Sequence, residues 1–206
     1  MHATSHGPTD IAALGADFYA CSTYKLFGPH AGAVTASPAL LEDLRPAKLA
    51  PAPDAVPERF ERGTPPFELL AGITAMTDWL AGLTATAGRR RQQVLAAMQA
   101  IENHLNTLLA HALDGLARIS GVRLLGAAQR RTSTISFVIN GRSPQQAARQ
   151  LAQQGICVWD GDNYAYELML RYRLADSGGA IRASIVLYNN RNDIDRLLDA
   201  VASIAR

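Results

Sequence analysis

The stretch "ALGADFYACSTYKLFGPH", residues 13–30, decides the fold. Residues 16–22 are rich in aromatic and small side chains, which predicts a buried β-strand. Hydroxyl-bearing residues and Lys25 follow, and then a Gly28-Pro29 turn. A second strand is predicted over residues 31–37. Lys25 is the first lysine of the chain, and it stands at the end of a strand, in the connection to the next.

A lysine in this position has two interpretations. Its stem can lie along the strand end while its amine reaches water. Alternatively, a desolvated amine forms a Schiff base with a carbonyl compound while neighbouring hydroxyls hold a phosphate. The carboxyl ends of strands in α/β sheets are common positions for such sites. The local sequence leaves both interpretations open.

Helices and one long loop are predicted around these strands, followed by a domain boundary. A short helix is expected over 9–14, and Pro38 favours a helix start at 38–44. Residues 45–66 contain six prolines and no helical period, so they are predicted to form a long loop. Apolar residues then recur at helical spacing over 67–83 and again over 89–113. The segment between Gly82 and Gly88 predicts a domain boundary, dividing the chain into 1–85 and 86–206.

The second part is predicted to be a small α+β domain, a sheet with helices on one face. Its predicted strands cover 121–125, 132–139, 155–159 and 180–187, and its predicted helices cover 143–153, 162–174 and 191–205.

Composition excludes several function classes. The chain has 206 residues, 48% of them hydrophobic, so it can bury a sizeable core. A net charge of +2 argues against nucleic acid as a partner, and "GRRRQQ", residues 88–93, indicates a solvated helix start. No signal peptide or membrane-spanning run is recognised. Cys21 and Cys157 lack metal-ligand spacing, which is typical of reduced thiols in a cytoplasmic protein. The chain begins almost directly in structured sequence, so we expect it to start within a domain.

Two further stretches, together with the first, carry a family resemblance. They are "ERFERGTPPFELLAG", residues 58–72, and "GAIRASIVLYNNRNDIDRLL", residues 179–198. In this order the three stretches resemble the class V, fold-type I pyridoxal-phosphate enzymes of the cysteine-desulfurase-like branch. The resemblance covers essentially the whole chain. It implies an α/β fold, with the C-terminal part of the large cofactor-binding domain followed by the small α+β domain.

The resemblance implies roles for five residues. Lys25 would bind pyridoxal 5′-phosphate covalently and shuttle protons at the substrate Cα. Ser22 and Tyr24 would hold the cofactor phosphate, Tyr24 replacing a histidine common in relatives. Thr64 would reach the phosphate of a neighbouring subunit, which implies a homodimer; read alone, it is a turn threonine before two prolines. Arg182 would clamp the carboxylate of an amino-acid substrate; read alone, it would face solvent from a strand.

One tract departs from the desulfurase pattern. Desulfurases of this branch carry an Arg-Thr-Gly-His-His-Cys stretch whose cysteine takes sulfur from the substrate, and "WDGDNY", residues 159–164, aligns with it. Tyr164 stands at the cysteine position and Trp159 at the arginine position. Cys157 precedes Tyr164 by seven residues, and we predict it to be a buried residue on a strand. Desulfuration through a persulfide is therefore not expected.

The resemblance extends only to the C-terminal half of such enzymes. The front half supplies an aspartate to the pyridine nitrogen, and its position falls just before Met1. His2 falls where relatives place a residue beside the cofactor ring oxygen, or it is a frayed terminal residue. We expect an amino-acid-acting enzyme that is inactive as the 206-residue chain alone. The alternative is a non-catalytic remnant or partner subunit that retains the dimer surface and the small domain.

Overall fold

The computed structural model describes residues 2–206, with side chains from Ala3 onward. The chain divides into two compact units, which meet between Ala100 and Ile101. This division falls inside a helix, whereas the sequence predicted a boundary at the preceding loop. Among the described residues, no helix is long and apolar enough to cross a membrane.

The first unit contains a two-stranded sheet and the helices that follow it. Its regular elements are strands β1 (Phe18–Ser22) and β2 (Gly32–Ala36), helices α1 (Pro38–Asp43) and α2 (Phe67–Ala81), and 3-10 helices His2–Ser5, Thr23–Leu26 and Glu58–Phe60. β1 and β2 pair antiparallel, from Phe18 opposite Ala36 to Ser22 opposite Gly32. The predicted strands, the loop at 45–66 and the helix over 67–83 are confirmed, apart from their ends and one 3-10 turn.

Two expectations for the first unit are wrong. Residues 11–15 form a turn and no helix. Asp10 accepts a hydrogen bond from the Ala13 amide through its side chain, and Gly15 has φ 63°, so the chain turns before a helix can propagate. β1 is also not the buried strand that its composition predicted, because 49% of Phe18 is exposed. Its partner β2 is exposed as well, with 71% of Val34 accessible.

Helix α3 (Arg90–Arg118) runs from the first unit into the second. The other elements of the second unit are strands β3 (Val122–Leu125), β4 (Thr134–Ile139), β5 (Trp159–Gly161) and β6 (Ala180–Ser184), helices α4 (Pro144–Gln153), α5 (Tyr166–Arg171) and α6 (Arg191–Ile204), and 3-10 helix Ala175–Ser177. The strands form an antiparallel sheet in the order β3-β4-β6-β5.

This sheet has one deeply buried face. Ile135, Phe137 and Ile139 alternate along β4 and are buried, and Ile181 and Ala183 on β6 continue the same face. α4 packs on β4, β5 and β6. The opposite face is partly covered by α5, since Met169, Leu174, Leu125 and Ala180 form one buried cluster. The sequence predicted this helix but placed all helices on one face of the sheet, and the packing of Met169 on the opposite face shows that this expectation is wrong.

Capping explains where the helices of the second unit begin. Ser143 and Gln146 form a capping box at the start of α4, and Asn190 and Asp193 form one at the start of α6. In each box, the side chain of the first residue accepts a hydrogen bond from the backbone amide of the second. The side chain of the second residue accepts a hydrogen bond from the backbone amide of the first. Both helices therefore start one residue after their caps, as the sequence predicted to within a residue.

The segment around residue 160 differs from the prediction. The strand expected over 155–159 is instead Trp159–Gly161, and the helix expected over 162–174 is only Tyr166–Arg171. Asn163 and Tyr164 both have left-handed φ, 56° and 58°, which helical residues do not adopt. Arg173, two residues after the end of the helix at Arg171, also has a left-handed φ of 57°, so the helix cannot continue to residue 174.

Candidate functional site

The candidate site is built around the lysine turn, residues 22–31, which joins β1 to β2. Thr23 is buried and closes the turn, because its amide donates to Ala31 O at 2.9 Å. The Thr23 hydroxyl lies 2.6 Å from Pro29 O and 3.0 Å from Ala31 O, and its one proton is shared between these carbonyls. The Gly28 amide donates back to Thr23 O at 2.9 Å. The turn is therefore held from within by a single threonine.

Helix α2 supports the lysine turn from outside. Three residues on one face of α2 each meet one turn residue: Gly72 meets Pro29, Met76 meets Gly28, and Trp79 meets Phe27. A Cβ on Gly28 would lie 2.6 Å from Met76 Sδ and 3.0 Å from Thr23 O. Glycine at position 28 therefore permits the close approach of helix and turn.

The chemically active side chains project from the outer surface of this turn. Lys25 lies on the 3-10 helix Thr23–Leu26, and its side chain is exposed. Lys25 Nζ is 5.8 Å from the centroid of the Tyr24 ring. The Ser22 side chain is buried at the end of β1. The structure thus places Lys25 near Tyr24 on the exposed side of the turn, whereas the Ser22 side chain is buried.

His30 joins this group and was missed by the sequence reasoning. Its ring stacks on that of Tyr24, with centroids 4.7 Å apart and an angle of 19° between the planes. The available signal was its place just after the Gly28-Pro29 turn, which reverses the chain and returns it towards Tyr24. A histidine on the returning side of a turn can meet residues that precede the turn.

The N-terminal segment lies beside the lysine turn. The 3-10 helix His2–Ser5 packs against the 3-10 helix Thr23–Leu26 and against β1. The Thr4 and Tyr19 hydroxyls are 2.8 Å apart and hydrogen-bonded. The predicted role of His2 concerns its side chain, which lies outside the described residues.

Thr64 lies on the exposed stretch that leads into α2. The loop before it is held by Arg59, which is buried and whose guanidinium lies 2.7 Å from the Glu42 carboxylate. Arg59 also donates to Leu44 O at 3.2 Å. These contacts tie the end of α1 to the segment that carries Thr64, so the surrounding loop is anchored although Thr64 itself is exposed.

Arg182 lies in the second unit, at the middle of β6. Its cross-strand partners are Ser136 on β4 and Trp159 on β5. Since Ile181 and Ala183 occupy the buried face, Arg182 projects from the opposite face and is half-buried. Directly paired residues place their Cβ atoms about 5 Å apart on the same face. Trp159, 62% exposed, therefore lies next to Arg182 on an accessible part of the sheet.

The tract at the desulfurase cysteine position is shaped by Asn163. Its side-chain amide donates to Gly161 O at 3.1 Å and to Ala180 O at 3.4 Å, which ties the turn to β6. The Tyr164 amide donates to the Asp162 carboxylate at 3.0 Å. Tyr164 itself is exposed over its whole side chain. Position 164, which the resemblance predicts to match the desulfurase nucleophile, is therefore exposed to solvent and carries a phenol.

The expectation that Cys157 is a buried strand residue is wrong. Cys157 is exposed and precedes β5, which begins at Trp159. Among the described residues, β5 pairs only with β6, over three residue pairs that begin at Trp159, so the pairing does not extend to position 157. Within residues 2–206, no group of three or more histidines, cysteines and acidic residues is suited to a metal ion.

Comparison with known proteins places this geometry in a family. The chain is 36% identical over 212 residues to a probable cysteine desulfurase of Pseudomonas putida, covering 95% of this chain and 47% of the relative. It is 34% identical to probable cysteine desulfurase 2 of Mycobacterium leprae, covering 95% of this chain and 46% of the relative. The chain thus spans about half the length of the curated relatives it matches.

Solved structures agree with the sequence comparison. The cysteine desulfurase CsdA from Escherichia coli superposes with a TM-score of 0.77 at 27% identity, covering 98% of this chain and 49% of that one. The apo cysteine desulfurase of Thermococcus onnurineus NA1 has a TM-score of 0.80 at 22% identity, covering 98% and 50%. The second likeness concerns the fold alone. The aminotransferase class-V family matches residues 1–197, and the chain therefore belongs to this pyridoxal-phosphate-dependent family, in its cysteine-desulfurase-like branch.

Proposed function

We propose that the protein is a pyridoxal-phosphate-dependent enzyme acting on an amino acid without a desulfurase cysteine. One observation carries the proposal: an exposed lysine follows directly on a strand end, on a turn fixed by Thr23 and by α2. The amine of Lys25 is accessible and its backbone is held in place. A covalent attachment point for an aldehyde needs both properties.

The residues present fit the cofactor. The Lys25 amine, the Tyr24 hydroxyl and the His30 imidazole lie together on the lysine turn, with the buried Ser22 hydroxyl at its start, and these groups suit an aldehyde and a phosphate. When bound, pyridoxal phosphate supplies an electron sink that stabilises negative charge at the amino-acid Cα. Lys25 would hold the aldehyde and move the Cα proton, while Ser22 and Tyr24 would donate to the phosphate. The proposal also keeps Thr64 as a contact to a second copy of the chain.

Arg182 is proposed to bind the substrate carboxylate. Its half-buried side chain lies next to the exposed Trp159, on the sheet face that α5 covers only in part, and a guanidinium offers two parallel donors. Trp159, its neighbour on β5, cannot pair a carboxylate. Because Tyr164 is not a thiol, we propose that the reaction involves no persulfide at this position. The exposed Cys157 is the thiol that a test must remove, so sulfide release from cysteine should be measured with Cys157→Ala in parallel.

The test of the proposal is the position of a trapped cofactor. Incubation with millimolar pyridoxal phosphate, borohydride reduction and peptide mass spectrometry should locate the pyridoxyl group on Lys25. Lys48, the second lysine of the chain, is the internal control. It forms an ion pair with Asp54 at 3.2 Å and lines a pocket with Arg45 and Arg59, so it tests whether a lysine near positive charge is labelled without the lysine turn. Labelling of Lys48 at the level of Lys25 would favour the non-catalytic alternative.

A second test addresses Arg182. Arg182→Lys keeps the charge but removes the paired donors, so amino-acid binding should weaken by about 1.5–3 kcal/mol. The measurement is titration of the pyridoxal-phosphate-loaded protein with amino acids, followed through the cofactor absorbance. The spectrum before titration is the control and should be unchanged. Equal affinity of variant and unaltered protein for every amino acid would remove Arg182 from the site.

A further inference from the structure

We propose that His30 is a phosphate-binding residue of the cofactor site and supplies the positive charge that Ser22 and Tyr24 lack. This inference rests on the proposed function, because it assumes that Lys25 holds the aldehyde of the same molecule. His30 lies on the returning side of the lysine turn, and its ring stacks on Tyr24 at 4.7 Å.

Charge is the first argument. A phosphate monoester carries a charge of about −1.5 to −2 at neutral pH. The hydroxyls of Ser22 and Tyr24 are neutral donors. From residue 16 to residue 37 the sequence contains two side chains that can carry a positive charge, Lys25 and His30. Lys25 is committed to the aldehyde, so His30 is the group of this segment that can form a charge-assisted hydrogen bond to the phosphate.

Geometry is the second argument. The Tyr24 and His30 rings are inclined by only 19°, so they form one stack of nearly parallel rings beside the lysine. Lys25 Nζ lies 5.8 Å from the Tyr24 centroid, so an aldehyde on Lys25 starts next to this stack. His30 is exposed and can meet a ligand without rearrangement of the core.

Rigidity is the third argument. The backbone on both sides of the imidazole is fixed, because Pro29 O and Ala31 O each accept from the Thr23 hydroxyl. His30 lies between these two carbonyls. The backbone that carries the imidazole is therefore held near Tyr24, which lowers the entropic cost of binding.

The experiment compares two aldehydes that differ only in the phosphate. The chain is incubated with pyridoxal 5′-phosphate or with pyridoxal, reduced with borohydride, and the label on Lys25 is divided by the label on Lys48. Lys48 corrects for the different intrinsic reactivity of the two aldehydes, and any preference that the nearby Arg45 and Arg59 give Lys48 itself cancels when variants are compared. The phosphate preference is a ratio: the normalised Lys25 label obtained with pyridoxal phosphate, divided by the normalised Lys25 label obtained with pyridoxal. Circular dichroism verifies that each variant is folded.

Two variants separate charge from stacking. His30→Phe retains a ring against Tyr24 but loses the charge and the donor, so the phosphate preference should fall about tenfold, as expected for one hydrogen bond to a charged group. His30→Arg retains a planar cation that stacks on an aromatic ring, so it should keep the preference to within about threefold. Added inorganic phosphate should lower the preference of the unaltered chain and of His30→Arg, and should lower that of His30→Phe less, because Ser22 and Tyr24 remain.

The outcomes distinguish the two proposals. If Lys25 is labelled with a phosphate preference that His30→Phe leaves unchanged, His30 only positions the Tyr24 ring and the inference is wrong. The inference is also wrong if His30→Arg behaves as His30→Phe does. Absence of label on Lys25 above that on Lys48 with both aldehydes would overturn the proposed function and this inference together.

Discussion

The two sheets of the chain are built from similarly apolar strands and differ in what covers them. In the second unit, Ile135 and Phe137 on β4 are completely buried. In the first unit, Phe18 on β1 and Val34 on β2 remain 49% and 71% exposed. The composition of a strand therefore predicts that it will form, whereas its burial depends on the elements that pack on it. The first sheet is held mainly by the hydrogen-bonded lysine turn between its strands, and the second is held mainly by its buried core.

The largest loss of stability is expected from a substitution in the core of the second sheet. Phe137→Ala should lower the free energy of unfolding by about 3–5 kcal/mol, because the phenyl group is fully buried and leaves a cavity. Phe18→Ala is the matched control and should cost under about 1 kcal/mol, since half of Phe18 is already exposed.

The chain offers a reporter for each unit in this measurement. Its two tryptophans, Trp79 and Trp159, lie one in each unit. Urea unfolding followed by Trp159 fluorescence in a Trp79→Phe background would isolate the second unit. Equal losses for Phe137→Ala and Phe18→Ala would contradict the contrast between the two sheets.

An intermediate effect is expected where β5 meets β6. Gly179 has φ 85°, and a Cβ there would collide with the backbone of Gly161. Gly178 has a similar φ of 88°, yet its nearest neighbour would be Pro144 Cδ at 3.8 Å, an ordinary contact. Gly179→Ala should therefore destabilise the second unit by about 1–3 kcal/mol more than Gly178→Ala. Both substitutions carry the strain of left-handed backbone, about 1–2 kcal/mol, so their difference isolates the close approach.

Trp159 lies on β5 itself, so its fluorescence follows this region directly during unfolding. If Gly178→Ala and Gly179→Ala lowered the stability of the second unit equally, the close approach of Gly179 to Gly161 would not be what positions β5 against β6. It would then also not be what places Trp159 beside Arg182.

The smallest effect is expected at the lysine turn. Thr23→Val keeps the shape of the side chain but removes the hydroxyl that donates to Pro29 O and Ala31 O, which should cost about 1–2 kcal/mol. Thr74→Val is the control, because the Thr74 hydroxyl is exposed and bonds within its own helix to Leu70 O. We expect it to change the stability by less than about 0.5 kcal/mol.

Thr23→Val should also lower the labelling of Lys25 by pyridoxal phosphate relative to Lys48, since the turn that presents the amine would lose its internal hydrogen bonds. Trp79 fluorescence in a Trp159→Phe background follows the first unit. Unchanged stability together with unchanged labelling would show that α2 alone holds the turn.

Local rules predicted much of the fold. Helices with a cap and a clear period, such as α4 and α6, were predicted to within a residue or two, because a capping box and an amphipathic face are encoded within a few turns. β5 and α5 were misplaced because consecutive left-handed residues at Asn163 and Tyr164 are stabilised by contacts to Gly161 and Ala180, which sequence spacing does not reveal. The exposure of Cys157 follows from that same shift.

The candidate site was predictable in part. The motif around Lys25 identified the lysine and its hydroxyl neighbours, since they are adjacent in sequence. The stacking of His30 on Tyr24 and the support from Gly72 and Met76 depend on how the turn closes and on which face of α2 it meets. Such contacts arise from the packing of distant segments, and a single sequence does not determine them.

The arrangement of β1 and β2 as a sheet of two strands has a consequence for proton exchange with water. Within the described residues, each of these strands pairs along one edge only, whereas β6 is paired on both sides, with β4 and with β5. Alternate backbone amides of β1 and β2 therefore point away from the ladder and should exchange their hydrogen quickly, while their neighbours exchange slowly. The amides of β6 that face β4 or β5 should be protected on both edges. Along the chain, the lysine turn would then be bracketed by two segments of alternating protection.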